Sequence, residues 1–224
     1  MPRTARATIG GYCYHLINRG NNQSTLFHER ADYAAFLSLV AETQQCLNLP
    51  ILAACLMPNH VHFVVRPSGD DDLADWTHRV FTTHVRRHHR KYKSTGRLWQ
   101  GRFKAFPIQQ DHHLITVMRY VERNALRAGL VARAEEWDWG SLGWRTLQRP
   151  WRIKLARSPV PLPENWLAFV NEPQTPAEVE SIRTSVQRQR PFGAQEWVER
   201  EAQDLGLQQS LAPLGRPRRA SPAK

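Results

Sequence analysis

Two short apolar runs, Ile51–Leu56 and His60–Val65, are separated only by Met57-Pro58-Asn59. Each run is too short for a helix, and the proline-containing link is a turn, so the pair reads as two strands of a hairpin opened by Pro50. Side chains alternate across a strand. Val61 and Phe63 therefore face a core on one side, and His60 and His62 project together on the other. For an arbitrary His-x-His, two half-buried rings bonded to backbone or water is the better reading. The alternative is a metal site, because each neutral ring offers one nitrogen lone pair. Two ligands fall short of the four that a structural zinc site needs. An open site completed by one more residue and by substrate or water fits better.

The hairpin sits within a longer alternation. Tyr12–Asn18 is aromatic and branched and ends at a polar Arg-Gly-Asn-Asn loop, as a strand would. Positions 33, 36, 37, 40 and 47 are apolar at helical spacing within Arg30–Leu47. Asp70–Asp72 precede a helix expected over Leu73–Tyr92, where acidic residues suit the dipole. A short fourth strand spans Phe103–Ile108, with Pro107 marking an edge or a strand end. Asp111 caps a further helix to about Ala128, stopped by Gly129. This order predicts an α+β protein of ferredoxin-like type, a β-α-β-β-α-β antiparallel sheet with helices on one face, plus the additional helix. Beyond Trp151, prolines cluster at 159, 161, 163, 174 and 176. Two domains are expected, 1–150 and a partly helical C-terminal extension, 151–224, with helices near Ala177–Gln189 and Gly193–Leu205. The final PLGRPRRASPAK is polar and expected to be disordered.

Charge narrows the partner. The 224 residues carry 31 Lys+Arg against 20 Asp+Glu, net +11, a balance suited to a polyanion, most often nucleic acid. The first 150 residues hold 20 basic and 12 acidic groups. Between Trp76 and Gln110 there is no acidic residue at all, against nine Lys or Arg and four His. A solvated face usually mixes signs. Cys13, Cys46 and Cys55 read as buried thiols of a reducing compartment. No stretch is apolar and long enough to span a bilayer. The expected location is the cytoplasm, in association with the nucleoid and not with a membrane.

Tyr120 and Asn124 stand four apart and share a helix face. An amide oxygen can ligate a hard cation, and a phenol oxygen can attack phosphorus and form a covalent intermediate. Taken alone, that spacing also fits a core tyrosine and a helix-end amide. None of the three cysteines lies beside an obvious base motif.

Several stretches together are more specific: YHLINRGNN at 14–22, FHERADYAAFL at 27–37, CLMPNHVHFVV at 55–65, GRLWQGRFKA at 96–105 and RYVERNALRAGLV at 119–131. In this order, over most of residues 10–145, they resemble the single-tyrosine HUH transposases of bacterial insertion sequences, and more closely the REP-associated tyrosine transposases. The resemblance implies that His60 and His62 are the metal-binding pair, Asn124 the third ligand, Tyr120 the nucleophile, and Mg2+ or Mn2+ the cofactor. It also implies cutting and rejoining of single-stranded or hairpin DNA, of the kind formed by repetitive extragenic palindromes, through a 5′-phosphotyrosine. A monomer is expected rather than a homodimer. The family commonly has proline where Ala125 stands, and alanine lets the helix continue past Asn124.

For DNA contact the candidates are Arg79, Arg86, Arg87 and Arg90 on the second helix, Asn18, Arg19 and Asn21 in the first polar loop, and Trp99, Gln100, Arg102 and Lys104, which join a stacking ring to donors. His15 supports the first strand or DNA. The extension is expected to pack back over the domain, anchored by Trp166 and Trp197, and to touch DNA or gate the site. Two rival readings remain: a hairpin-binding protein that no longer cuts, and a metal-dependent nuclease using water.

Overall fold

The computed structural model describes residues 8–147 and 153–212. The polar stretch from Pro213 and the expected boundary near 150 lie outside the described residues. Four strands, β1 (Cys13–Arg19), β2 (Ile51–Met57), β3 (His60–Val65) and β4 (Lys104–Ile108), form one antiparallel sheet in the order β2-β3-β1-β4. β1 connects to β2 through α1 (Arg30–Cys46), and β3 to β4 through α2 (Asp72–Tyr92). This is the expected split β-α-β arrangement. Pro107 lies in the edge strand β4, where a missing N–H costs no ladder bond toward a further strand.

Strand alternation gives the sheet two apolar faces. Leu16, Ala54, Leu56, Val61, Phe63 and Val65 pack with α1 and α2 around the fully buried Trp76. Both crossover helices thus lie on one face, as expected. The opposite face, with Cys13, Cys55, Val64 and Phe106, is covered by α3 (His112–Glu122) and by the extension. Cys13 and Cys55 are buried, whereas Cys46, the last residue of α1, is exposed, contrary to the expectation of three buried thiols.

The single helix expected over 111–128 is interrupted. Asp111 does cap α3, accepting from the His113 N–H, but Arg123 departs to φ −85°, ψ −2°, and α4 (Asn124–Arg127) starts after it. The Arg123 side chain reaches the carbonyls of Glu172 and Asn171 at 2.8 and 3.3 Å. The expected smooth passage through Asn124 is therefore corrected: the break comes one residue earlier. Gly129, at φ +70°, ends α4 as expected.

The extension is built into this frame. After α5 (Ser141–Thr146) come α6 (Trp166–Asn171), α7 (Pro176–Arg188) and α8 (Gln195–Asp204). Ile51 on the β2 edge accepts a hydrogen bond from Ala156 N, and on the β4 edge Phe192 both donates to Pro107 O and accepts from Gln109 N. Both sheet edges are thus partly occupied. Trp166 is buried, and its Nε1 donates to Glu122 Oε2 at 2.7 Å. Glu122 also accepts from Ser141 Oγ at 2.6 Å, and Arg145 lies 3.5 Å away. Burial raises the Glu122 pKa, opposed by Arg145 and these donors. Trp197 is half-buried over Gly193, where a Cβ would lie 2.5 Å from the ring.

Exposed strand edges and apolar faces drive association. A chain ended at Leu147 is expected to self-associate in light scattering and to melt at lower temperature. A monodisperse product with an unchanged melting point would show that the extension adds nothing to the fold.

Candidate active site

β3 is held in register on both sides. His62 stands opposite Ile17 of β1 and Cys55 of β2, and His60 opposite Arg19 and Met57. His62 is buried and His60 is partly open. Each ring has one nitrogen already engaged: His62 Nδ1 lies 2.8 Å from His15 Nε2, and His60 Nδ1 lies 2.6 Å from Asn59 Oδ1. The His15 and His62 rings lie nearly coplanar, edge to edge, with centroids 5.0 Å apart. The Nε2 of each ring is the nitrogen left to ligate. Outer partners of this kind fix ring orientation and tautomer at metal sites.

Burial also sets protonation. It pushes His15 down to about 3 and His60 to about 4, and drives His62 well below the ordinary histidine range. Arg127 adds to the shift at His15, Arg19 at His60, and the other two histidines at His62. All three rings are neutral at pH 7 and carry a lone pair.

Tyr120 comes in from α3 on the same face. Its ring centroid lies 6.0 Å from that of His62 and 6.1 Å from that of His15. The guanidinium carbon of Arg127 stands 4.0 Å from the Tyr120 centroid, and Nη2 of Arg127 donates to Asn124 Oδ1 at 2.8 Å. An amide oxygen has two lone pairs, so this bond leaves one for a cation. His60, His62, Tyr120 and Asn124 share the wall of one cleft of about 570 Å3. The donor set, two neutral imidazoles and an amide oxygen, fits a divalent ion of Mg2+ or Mn2+ type with room for further oxygen ligands.

Asn18, Arg19, Gln100, Arg102 and Lys104 line the same cleft. Asn18 is buried, its Oδ1 accepting from Arg19 N. The other proposed DNA contacts are elsewhere. Asn21 lies in a short turn, donating its N–H to Leu98 O. Arg79, Arg86 and Arg90 are exposed on α2, which packs on the far face of the sheet, and Arg87 pairs with Glu42 at 3.2 Å. Trp99 is a correction. It is 7% exposed, packed against Phe81, His84 and Phe36, so its ring is not available for base stacking. An indole beside so polar a sequence reads as a surface ring, but the α1–α2 core claims it.

Four contributors were not assigned from sequence. His15 is read only as support of the first strand or DNA, and Asn59 only as turn. Arg127 is seven residues from Tyr120, a spacing that places it on the same helical face. Arg183 of α7 also lines the cleft, and nothing local in the sequence signals it.

The family model described as transposase IS200 like matches residues 8–124. This chain belongs to the IS200-like transposase family. Within curated proteins it is similar to a REP-associated tyrosine transposase of Haemophilus influenzae, 27% identical over 114 residues, covering 45% of this chain and 64% of that one. The chain thus spans a little under two thirds of the relative's length. The fold is shared with a solved REP-associated tyrosine transposase bound to a REP hairpin, at TM-score 0.53 and 19% identity over 67% of this chain and 88% of that one. Among the described residues, no helix of this IS200-like protein is long and apolar enough to cross a membrane.

The buried rings couple stability to pH. His15 and His62 stay neutral in the fold, whereas in the unfolded chain they take up protons below about pH 6.5. Stability is therefore level above about pH 7. It falls as pH drops from about 6.5 toward the folded values, by up to ~1.4 kcal/mol per pH unit for each ring. Melting temperatures at pH 7.5 and pH 5 should show a marked fall, smaller in His15→Gln. An unchanged midpoint would mean that the folded rings take up protons as readily as the unfolded ones.

Proposed function

We propose that this chain is a metal-dependent DNA strand transferase that cuts and rejoins single-stranded or hairpin DNA through a tyrosine-linked intermediate. The observation that carries this reading is the convergence of Tyr120, His60, His62 and Asn124 on one cleft whose wall holds basic side chains and, among the described residues, no carboxylate. Family membership and the likeness to a hairpin-binding relative support the choice of DNA over other polyanions.

His60, His62 and Asn124 would hold a Mg2+ or Mn2+ ion. When bound, it would polarise the scissile phosphate and neutralise developing charge. Neutral rings serve this role, and burial keeps them neutral at physiological pH. Tyr120 Oη attacks the phosphorus and gives up its proton. A Tyr–O–P bond forms, the P–O3′ bond breaks, and the departing oxygen ends as a 3′-hydroxyl. The DNA 5′ end is left on the enzyme as a phosphotyrosine. A phosphodiester is exchanged for a phosphodiester, so attack by a 3′-hydroxyl reverses the step without ATP. Arg19, Arg102 and Lys104 are placed to hold the strand's phosphates. Unstacked DNA suits the cleft because in-line approach to the phosphorus needs the strand splayed from a duplex. α7 forms one wall, so the extension bounds the substrate path.

Wild type and Tyr120→Phe are compared on labelled hairpin DNA with a single-stranded flank, with and without Mn2+ or Mg2+, on denaturing gels. The expected result is a metal-dependent protein–DNA band with wild type only, lost also in His60→Ala and His62→Ala. Cleavage without a covalent band, retained in Tyr120→Phe, would replace this reading with hydrolysis by water. Hairpin binding without any cleavage would make the chain a non-cutting binder.

A further inference from the structure

Arg127 has an unfilled requirement. Its Nη2 is bonded to Asn124 and its guanidinium carbon lies over the Tyr120 ring, but Nη1 is buried without a hydrogen-bond partner among the described residues. An orphaned buried donor of a charged group is costly, and in a native protein it marks a missing partner. The missing partner must be an acceptor. The cleft offers none of the right charge: among the described residues no Asp or Glu lines it, and its other charged side chains are Arg19, Arg102, Lys104 and Arg183. A phosphate entering the cleft brings acceptor oxygens of the matching charge. A guanidinium presents its N–H groups as a fork, suited to two oxygens in one plane. Here one tine is spent on an amide oxygen, and the residue lines the cleft beside the phenol.

We propose that Arg127 grips the scissile phosphate itself, with Nη1 donating to a non-bridging oxygen while Nη2 and the guanidinium face keep Asn124 and Tyr120 in place. The proposal rests on the strand-transfer reading above. It makes Arg127 a catalytic residue in the strict sense, touching the reacting group, and not only a spacer between nucleophile and metal ligand. It accounts for three features with one role: the orphaned donor, the cation on the tyrosine face, and the absence of any acidic side chain in the wall.

The test compares wild type, Arg127→Ala and Arg127→Lys on two hairpin substrates. One has the natural phosphodiester at the cleaved position and the other a neutral methylphosphonate there. Covalent adduct formation is followed in single turnover. Hairpin affinity is measured by fluorescence anisotropy with the same changes in a Tyr120→Phe background. On the natural linkage, Arg127→Ala is expected to slow adduct formation by about 100-fold or more, with affinity changed less than about threefold, and Arg127→Lys to recover part of the rate. A neutral linkage no longer needs a cation, so Arg127→Ala should lose far less relative to wild type on methylphosphonate. An equal loss on both linkages would overturn the proposal and leave Arg127 a purely structural brace, as would a rate within threefold of wild type. Failure of the tyrosine reading looks different: wild type would cleave without an adduct. In that case the same linkage dependence in cleavage rate would retain the phosphate grip, and its absence would remove it. Arg127→Lys, which keeps the charge, serves should the alanine variant melt below assay temperature.

Discussion

The pairing of β1 with β3 is the constraint on which the rest depends. It sets Ile17 opposite His62 and His15 opposite Val64, so that His15 and His62 emerge on the same face within hydrogen-bond distance. A slip of β3 by one residue would turn His60 and His62 into the α1–α2 core and bring Phe63 to the cleft. The register is secured because Val61, Phe63 and Val65 are fully buried on the other side. Ligand geometry and core packing are thus one decision, made twice along the same strand.

Desolvation then does chemical work. The rings are neutral because the sheet is covered on both faces, by crossover helices on one side and by α3 with the extension on the other. A ring left in open water at this position would titrate near neutrality. The same covering holds Tyr120 at the cleft: α3 is anchored from behind by Glu122, whose carboxylate collects Ser141, Trp166 and Arg145. The nucleophile's position is therefore tied to a buried polar junction two residues along the same helix.

Much of the frame was legible beforehand. Short apolar or aromatic runs bounded by turn residues marked the four strands, and the 3.6 period marked the first crossover helix, close to their observed limits, because the strands are buried on both faces and the helix mainly on one. The break at Arg123 was not legible, since Ala125 favours a helix and the bonds that accompany the break run to a segment nearly fifty residues away. Trp99 was misread for a related reason: its neighbours in sequence are polar, while its neighbours in space are Phe36, Phe81 and His84. Arg79, Arg86, Arg87 and Arg90 lie on the second helix as expected, but which side of the sheet that helix covers is not a local property.

By itself, the sequence determined that His60 and His62 share one side of a strand and that Tyr120 and Asn124 share one side of a helical stretch. Backbone periodicity dictates both. Only the tertiary structure decided that these two sides meet, that His15 orients His62 and Asn59 orients His60, and that α7 closes a wall with Arg183. Those outcomes follow from burying complementary surfaces far apart in the chain, and that energy belongs to the assembled sheet and helices, not to any one segment.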